Sequence, residues 1–247
     1  MKKPHGSFKS RLGEKHFSKQ GEEVEIVEYF GWDNCSIMFP NKFILRNVQY
    51  SAIVVGRFKN PYLPSVCDIG FVGYGEYVTH IGHIASRAYA TWSSMFSRCY
   101  RNRHKSYKEV VVCDEWHNFQ IFAKWYYQNQ VEDWHLDKDI LVKWNKIYSP
   151  ETCCFVPPEI NYLFIKRQSD RGKDPIGITE DKGLFKARIS INNERVYLGI
   201  FNNKEDAFLI YKEAKEKNIQ KIAIKWKDKI EEKVYIALIN YKVEITD

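Results

Sequence analysis

The chain has 247 residues, 44% hydrophobic and 28% charged, with 13 glycines and 8 prolines; this excludes disordered, collagen-like and low-complexity classes and fits one to two folded domains. No run approaches the ~18 consecutive apolar residues of a membrane-spanning helix, and the basic start Met1–Ser7 leads into no apolar signal core, so a cytoplasmic location without a membrane partner is expected. Lys and Arg number 38 against 31 Asp and Glu, a net charge of +7 that directs attention to polyanionic partners.

In chain order, residues 1–22 carry six Lys and Arg among their first twenty positions and few apolar residues, which reads as a flexible basic arm. Residues 23–85 hold β-rich runs at 24–30, 35–39 and 43–46, separated by the turn signals Asp33-Asn34 and Pro40-Asn41. They predict a small antiparallel module whose strand spacing suggests an SH3-like barrel, with Tyr29, Phe30, Phe39 and Phe43 as core. Over 86–166, Tyr89, Trp92, Phe96 and Cys99 recur at helical spacing, and Phe119, Phe122, Ala123 and Tyr126 mark a second helix. Leu136–Ile140 and Cys153–Val156 then read as strands, and Pro157-Pro158 opens a short helix. A charged linker is expected at 167–174. In 175–247, three strands near 176–178, 185–191 and 195–199 precede a helix capped at Asn202/Asn203, and a further helix carries Ile219, Ile222, Trp226 and Ile230. The expected fold class is therefore α+β.

The positive charge is concentrated. Between Arg87 and Val112, Arg87, Arg98, Arg101, Arg103, Lys105 and Lys108 stand against Glu109 alone, a local +5. Such stripes suit phosphate neutralisation, which supplies most nonspecific affinity for nucleic acid. In 185–198 the strand alternation puts Lys186, Arg188 and Ser190 on one side and Phe185, Ala187, Ile189 and Ile191 on the other. A sheet with a cationic front and an apolar back is a known way into the major groove, where Arg pairs bidentately with guanine. The six cysteines are scattered and show no paired zinc-ligand spacing, so reduced thiols and no structural zinc are expected.

Two stretches resemble known families. Trp92-x-x-Met95-x-x-Arg98-Cys99-Tyr100, Val112–Trp116, Leu136-Asp137-Lys138-Asp139 and Asn145–Pro157 together resemble phage-encoded endonucleases of the HNH homing type. Pro175–Ile178, Phe185–Ile189, Tyr197–Phe201 and Glu205-Asp206-Ala207-x-x-x-Tyr211 are similar to the Apetala-type (ethylene-response-factor-like) DNA-binding domain. The first resemblance implies a β-β-α core over 86–166 that holds Mg²⁺ or Mn²⁺ above a scissile phosphate of double-stranded DNA, in the cytoplasm of an infected bacterium. It implies Asp137 and Thr152 at the metal positions, Asn145 as the brace between the strands, and a general base at position 138. The second resemblance implies base reading by Lys186, Arg188 and Arg195; the basic stripe at 87–112 adds Arg98, Arg101, Arg103 and Lys105 as further candidate DNA contacts.

Three positions depart from the HNH pattern. Lys138 stands where a His base is usual, and an ammonium with a pKa near ~10.4 accepts no proton at neutral pH. Thr152 replaces an Asn or His ligand, and Trp144 replaces a turn glycine. Two readings follow. In one, His135, Asp137 and Asp139 share a strand face and form a displaced metal site for nicking or cutting DNA. In the other, Lys138 grips phosphate or pairs with Asp139, and the chain is a degenerate nuclease that acts as a DNA-binding regulator or as an inhibitor of a host-defence protein.

Overall fold

The computed structural model describes residues 10–101, 107–164, 174–192 and 194–246. The chain divides into two compact units, one of residues 1–64 with 71–74 and the other of 65–70 with 75–247.

The first unit is an antiparallel meander. Strands β1 (Lys15–Phe17), β2 (Glu23–Tyr29), β3 (Cys35–Met38) and β4 (Ile44–Val48) pair in the order β1-β2-β3-β4, and the short helix α1 (Tyr50–Val54) follows. Val24, Ile26, Cys35, Ile37, Phe39, Val48, Tyr50, Ile53 and Phe58 form its core. The alternation of β2 sends Val24 and Ile26 inward and leaves Glu23 and Glu25 toward solvent and the Lys15 strand. Residues 15–17, expected in the basic arm, are therefore a strand. The Gly13 N–H reaches Ile26 O at 2.8 Å, Lys15 pairs with Glu23 at 3.0 Å, and Glu14 accepts from Tyr50 Oη at 2.9 Å, so charge counting missed cross-strand partners. Among the described residues β1 and β4 do not pair, so the sheet is an open meander where a closed barrel was expected.

The second unit begins with the hairpin β5 (His80–Ile81) and β6 (Ile84–Ala85) and then helix α2 (Arg87–Phe96), capped by Ser86 Oγ accepting from Tyr89 N. A π-helical turn, Ser97–Arg101, extends α2. Strand β7 (Val111–Val112), a 3₁₀ turn at Asp114–His117 and helix α3 (Phe119–Asn129) follow. Trp92, Phe96, Trp116, Phe119 and Phe122 are fully buried, and the Trp92 indole donates to Trp116 O at 2.7 Å. The apolar stripes read from the sequence are thus core, as helical spacing on one face requires. Strand β8 (His135–Asp137) pairs antiparallel with β10 (Cys154–Val156), while β9 (Ile147–Tyr148) pairs parallel with β7. Helix α4 (Pro158–Tyr162) completes a strand-loop-strand-helix order.

Strands β11 (Ile178–Asp181), β12 (Leu184–Ile191) and β13 (Glu194–Phe201) form a three-stranded antiparallel sheet, and α5 (Lys204–Trp226) and α6 (Glu232–Ile239) follow it. Asn203 Oδ1 caps α5 by accepting from Asp206 N at 2.7 Å, with Glu205 and Asp206 favourably placed in the first turn. Helix α5 runs 23 residues without a break, so Ile219, Ile222 and Trp226 belong to it and not to a separate helix. That length merges the two expected domains. Ile140, Cys154, Val156 and Ile160 share one core with Ile178, Ala187, Ile189, Ile219, Ile222 and Val234. The short β8, β10 and α4 cannot bury an apolar side among themselves, and the second half of α5 covers it. Of the expected linker, Asp174 alone lies among the described residues; its carboxylate accepts from Glu180 N at 3.0 Å and pairs with Lys204 at 3.2 Å.

Gly177 fixes the approach of α5 to the sheet. Its φ is +76°, and a Cβ there would lie 2.2 Å from the Tyr211 ring and 2.7 Å from Arg188 O. Gly177→Ala is expected to destabilise the second unit by about 2 kcal/mol from the left-handed backbone and the forced shift of α5, read as a lower midpoint in urea unfolding.

Candidate functional site

The loop between β8 and β10 is where the residues of the expected nuclease centre lie. Asp137 ends β8, and its Oδ1 accepts from Asp139 N at 2.7 Å and Ile140 N at 2.9 Å. The carboxylate therefore caps the turn that leaves the strand, as Asx side chains do. Burial pushes its pKa up, against the pull of those two N–H groups and of Lys138. Lys138 is buried, with Nζ 2.6 Å from Asp139 Oδ1 and 2.8 Å from Asn145 O. Asn145 is buried too. Its Nδ2 donates to Lys138 O at 2.9 Å and Ile147 O at 2.6 Å, and its Oδ1 accepts from Ile147 N at 3.1 Å. This one amide ties the start of the loop to β9.

The remaining candidates turn away from that point. His135 Nδ1 accepts from Asn161 Nδ2 at 3.0 Å, and its ring meets Tyr162 edge-on at 6.1 Å. It opens onto a cleft lined by Arg87, Tyr126, Gln130 and Asp133, which Asp137 does not line. Thr152 Oγ1 donates to Ile147 O at 2.9 Å and faces Ser149 Oγ at 3.1 Å. Asp139, exposed, is held by Lys138. A hard divalent cation takes about six oxygen ligands with carboxylates prominent among them. Here the Asp137 carboxylate already accepts two backbone N–H groups, the Asp139 carboxylate is paired with the buried Lys138 ammonium, and the Thr152 hydroxyl is aimed at a carbonyl. No group of three or more His, Cys, Asp or Glu among the described residues is arranged to hold a metal. These residues do not fit Mg²⁺ or Mn²⁺.

Trp144 shows how the loop holds a bulky residue at a position that favours glycine. The Asn145 N–H reaches Val142 O at 3.1 Å, closing a turn in which Trp144 sits at the third position with φ +64°, a place that favours Gly. The Lys143 ammonium lies 5.5 Å from the Trp144 ring centre and 5.1 Å from that of Tyr241. Cation–π contact holds the strained residue in place.

Asp137→Asn separates turn capping from ionisation, because an amide oxygen still accepts both backbone N–H bonds. A carboxylate whose folded pKa lies above its unfolded value destabilises the fold once ionised. Wild-type stability is therefore expected to fall, relative to Asp137→Asn, as pH rises from the unfolded pKa through the raised folded one. Thermal midpoints of the two proteins at pH 3.5 and pH 7 measure this; the variant gains at pH 7 and loses that gain at the acid end.

The basic residues separate into three groups. Arg98 is half-buried, its guanidinium 5.9 Å from the Tyr107 ring centre and 5.8 Å from that of Tyr148, with Nε buried and without a hydrogen-bond partner among the described residues. Arg101 is exposed at the end of the π-helical turn, and Arg103 and Lys105 lie outside the described residues. Lys186, Arg188 and Arg195 lie on the three-stranded sheet. Pairing sets Arg188 opposite Tyr197 and Ser190 opposite Arg195, so these four side chains share one face, with Lys186 two residues before Arg188. The opposite face carries the buried Ala187 and Ile189. Arg188 and Arg195 are exposed and have no ion-pair partner among the described residues, whereas Lys186 is paired with Asp181. Tyr197, 57% exposed at the centre of this face, was not singled out from the sequence; its position two residues beyond Arg195 on an alternating strand was the available signal.

Compared with known proteins, the chain matches no family model, no curated protein and no solved structure.

Proposed function

We propose that the chain is a double-stranded-DNA-binding protein that reads DNA with the outer face of β11–β13, and that its β8–β10 loop is a structural remnant of an HNH-type nuclease. One observation carries the reading: Arg188, Arg195 and the exposed Tyr197 project together from a twisted sheet whose other side is packed on α5. Two exposed guanidinium groups supply phosphate or guanine contacts, and the aromatic ring supplies an apolar contact to a base edge or sugar. The net charge of +7 favours the same class of partner. The two stretches that resemble DNA-binding families are consistent with it.

Binding without hydrolysis is favoured by the chemistry of the loop. The Lys138 ammonium stands at the position of the usual base, tied to Asp139 and to the Asn145 carbonyl, and so has neither a free lone pair nor an open approach to water. The buried cation beside Asp137 also opposes binding of a second positive charge. The protein would then act as a DNA-binding regulator. Incubation of supercoiled plasmid and phage genomic DNA with the protein in Mg²⁺ or Mn²⁺ is expected to give no nicked or linear product, alongside salt-sensitive retention of the same DNA in a gel. Metal-dependent nicking that disappears with EDTA and with Asp137→Ala would overturn the remnant reading. Absence of DNA retention at low salt would overturn the binding reading and leave a host-defence protein as the partner to seek.

A further inference from the structure

Helices α4 and α5, the end of β12 beyond its pairing with β11 and the segment after α6 line a half-open cleft of about 660 Å³ in the second unit. That lies within the range of about 300–1,000 Å³ typical of small-molecule sites. Phe164, Ile176, Ile222 and Val243 supply apolar wall, and Lys215 and Asn218 enter from successive turns of α5. Residues three apart on a helix lie on one face, so their polar ends address the same space.

Both polar groups are under-satisfied. The Lys215 ammonium has three donors, and its one hydrogen-bond partner among the described residues is the neutral carbonyl of Leu163, at 2.8 Å. Asn218 is 8% exposed, and its amide has no hydrogen-bond partner among the described residues. Glu159 also lines the cavity, but its carboxylate accepts from Lys225 at 2.7 and 2.8 Å and from Trp226 Nε1 at 2.7 Å. Lys215 is thus a half-buried cation with no ion-pair partner among the described residues, and desolvation pulls its pKa down to about 8. Buried polar groups are normally met by a partner, and a cation and an amide left open toward one cavity specify an acceptor that bears negative charge.

We propose that this cavity binds a small organic anion, with a carboxylate or phosphate group received by Lys215 and Asn218 and a flat apolar body lying among Phe164, Ile176 and Ile222. Arg188 and Ser190 of the sheet also line the cavity, but the proposal rests on Lys215 and Asn218, and its test through Lys215→Met leaves the sheet arginines in place.

Calorimetric titration of the intact chain tests the proposal with benzoate, phenyl phosphate, inorganic phosphate and the neutral benzyl alcohol. Saturable single-site binding of benzoate or phenyl phosphate is expected, about tenfold or more tighter than benzyl alcohol, from a charge-assisted hydrogen bond. The tighter of the two identifies the head group, and inorganic phosphate alone is expected to bind more weakly than phenyl phosphate because it lacks the body. Lys215→Met keeps the stem of the side chain and is expected to weaken binding by about tenfold or more without lowering the thermal midpoint, since it removes a half-buried charge that has no ion-pair partner among the described residues.

A second measurement uses the wild-type chain. Pyridoxal 5′-phosphate, an aromatic aldehyde with a phosphate group, condenses with a neutral lysine amine to an imine with loss of water, and borohydride then delivers hydride to the imine carbon. Peptide mapping is expected to find Lys215 labelled ahead of the exposed lysines and protected by benzoate or phenyl phosphate. The proposal is overturned if neither anion saturates at millimolar concentration, if benzyl alcohol binds as tightly, if Lys215→Met retains full affinity, or if labelling of Lys215 is neither preferential nor protected.

Discussion

Reversing charge at both sheet arginines, Arg188→Glu with Arg195→Glu, is expected to weaken duplex DNA binding by about 100-fold or more, since each lost Arg contact is worth about 1–3 kcal/mol and each new carboxylate repels phosphate. Fluorescence anisotropy of a labelled duplex across a salt series measures it. The slope of log affinity against log salt is expected to shrink by about two, one for each phosphate contact removed. Both side chains are exposed, so the thermal midpoint stays close to wild type and a loss of binding is not a loss of folding. Lys186→Ala is expected to do less, because Asp181 already neutralises that ammonium. Unchanged affinity in the double variant would move the DNA interface off this sheet, with Arg101 the exposed described cation from which to restart.

Asn145→Leu is the substitution expected to damage the fold most. The variant keeps similar volume but removes three hydrogen bonds to backbone groups of Lys138 and Ile147 in a buried setting. At about 1 kcal/mol or more for each buried group left unpaired, the loss is about 3 kcal/mol, or roughly 6–12 °C in the midpoint for a unit of this size. Asn145→Asp is a sharper variant. Its carboxylate still accepts from Ile147 N but faces two carbonyl oxygens where the amide donated, so stability is expected to fall further at pH 7 than at pH 4. Differential scanning calorimetry at the two pH values checks both. A shift under 2 °C for Asn145→Leu would mean that the loop holds its shape without the brace.

These two outcomes bear on one question, the division of labour in the second unit. If the loop is purely structural, Asn145 variants lower stability and leave the residual DNA affinity of the folded fraction intact, while sheet variants do the reverse. Lys138 joins the structural side. Its ammonium and the Asn145 side chain exchange contacts with each other's backbone carbonyls, so the position that would carry a base in a nuclease is occupied by a cross-loop clasp.

Much of the architecture followed from local patterns. The alternation in β2 and in β12, the spacing of Trp92, Phe96, Phe119 and Phe122, and the Asn203 cap each specify an element with one buried face, because side-chain period and capping chemistry are properties of a few consecutive residues. The opposition of Arg188 and Ser190 to Ala187 and Ile189 was legible for the same reason. Strand Lys15–Phe17 was not, since its stability comes from Glu23, Ile26 and Tyr50, all later in the chain.

What the tertiary structure alone decided is long-range. Trp144 occupies a turn position that favours glycine, yet the backbone takes the left-handed conformation regardless, because the Val142–Asn145 turn and the Lys143 ammonium over its ring hold it there. Sequence left Lys138 open between gripping phosphate and pairing with Asp139; the position of the Asn145 carbonyl seven residues on favours the second. It could not place Lys215 and Asn218 in a cavity, for the walls come from α4 and from the segment after α6 as much as from α5. Composition, periodicity and caps determined which segments are helix or strand and which faces are apolar, because those signals are carried by neighbours in the chain. Which polar groups find partners and which are left facing a cavity was decided by packing, because those contacts join residues as far apart as 163 and 215.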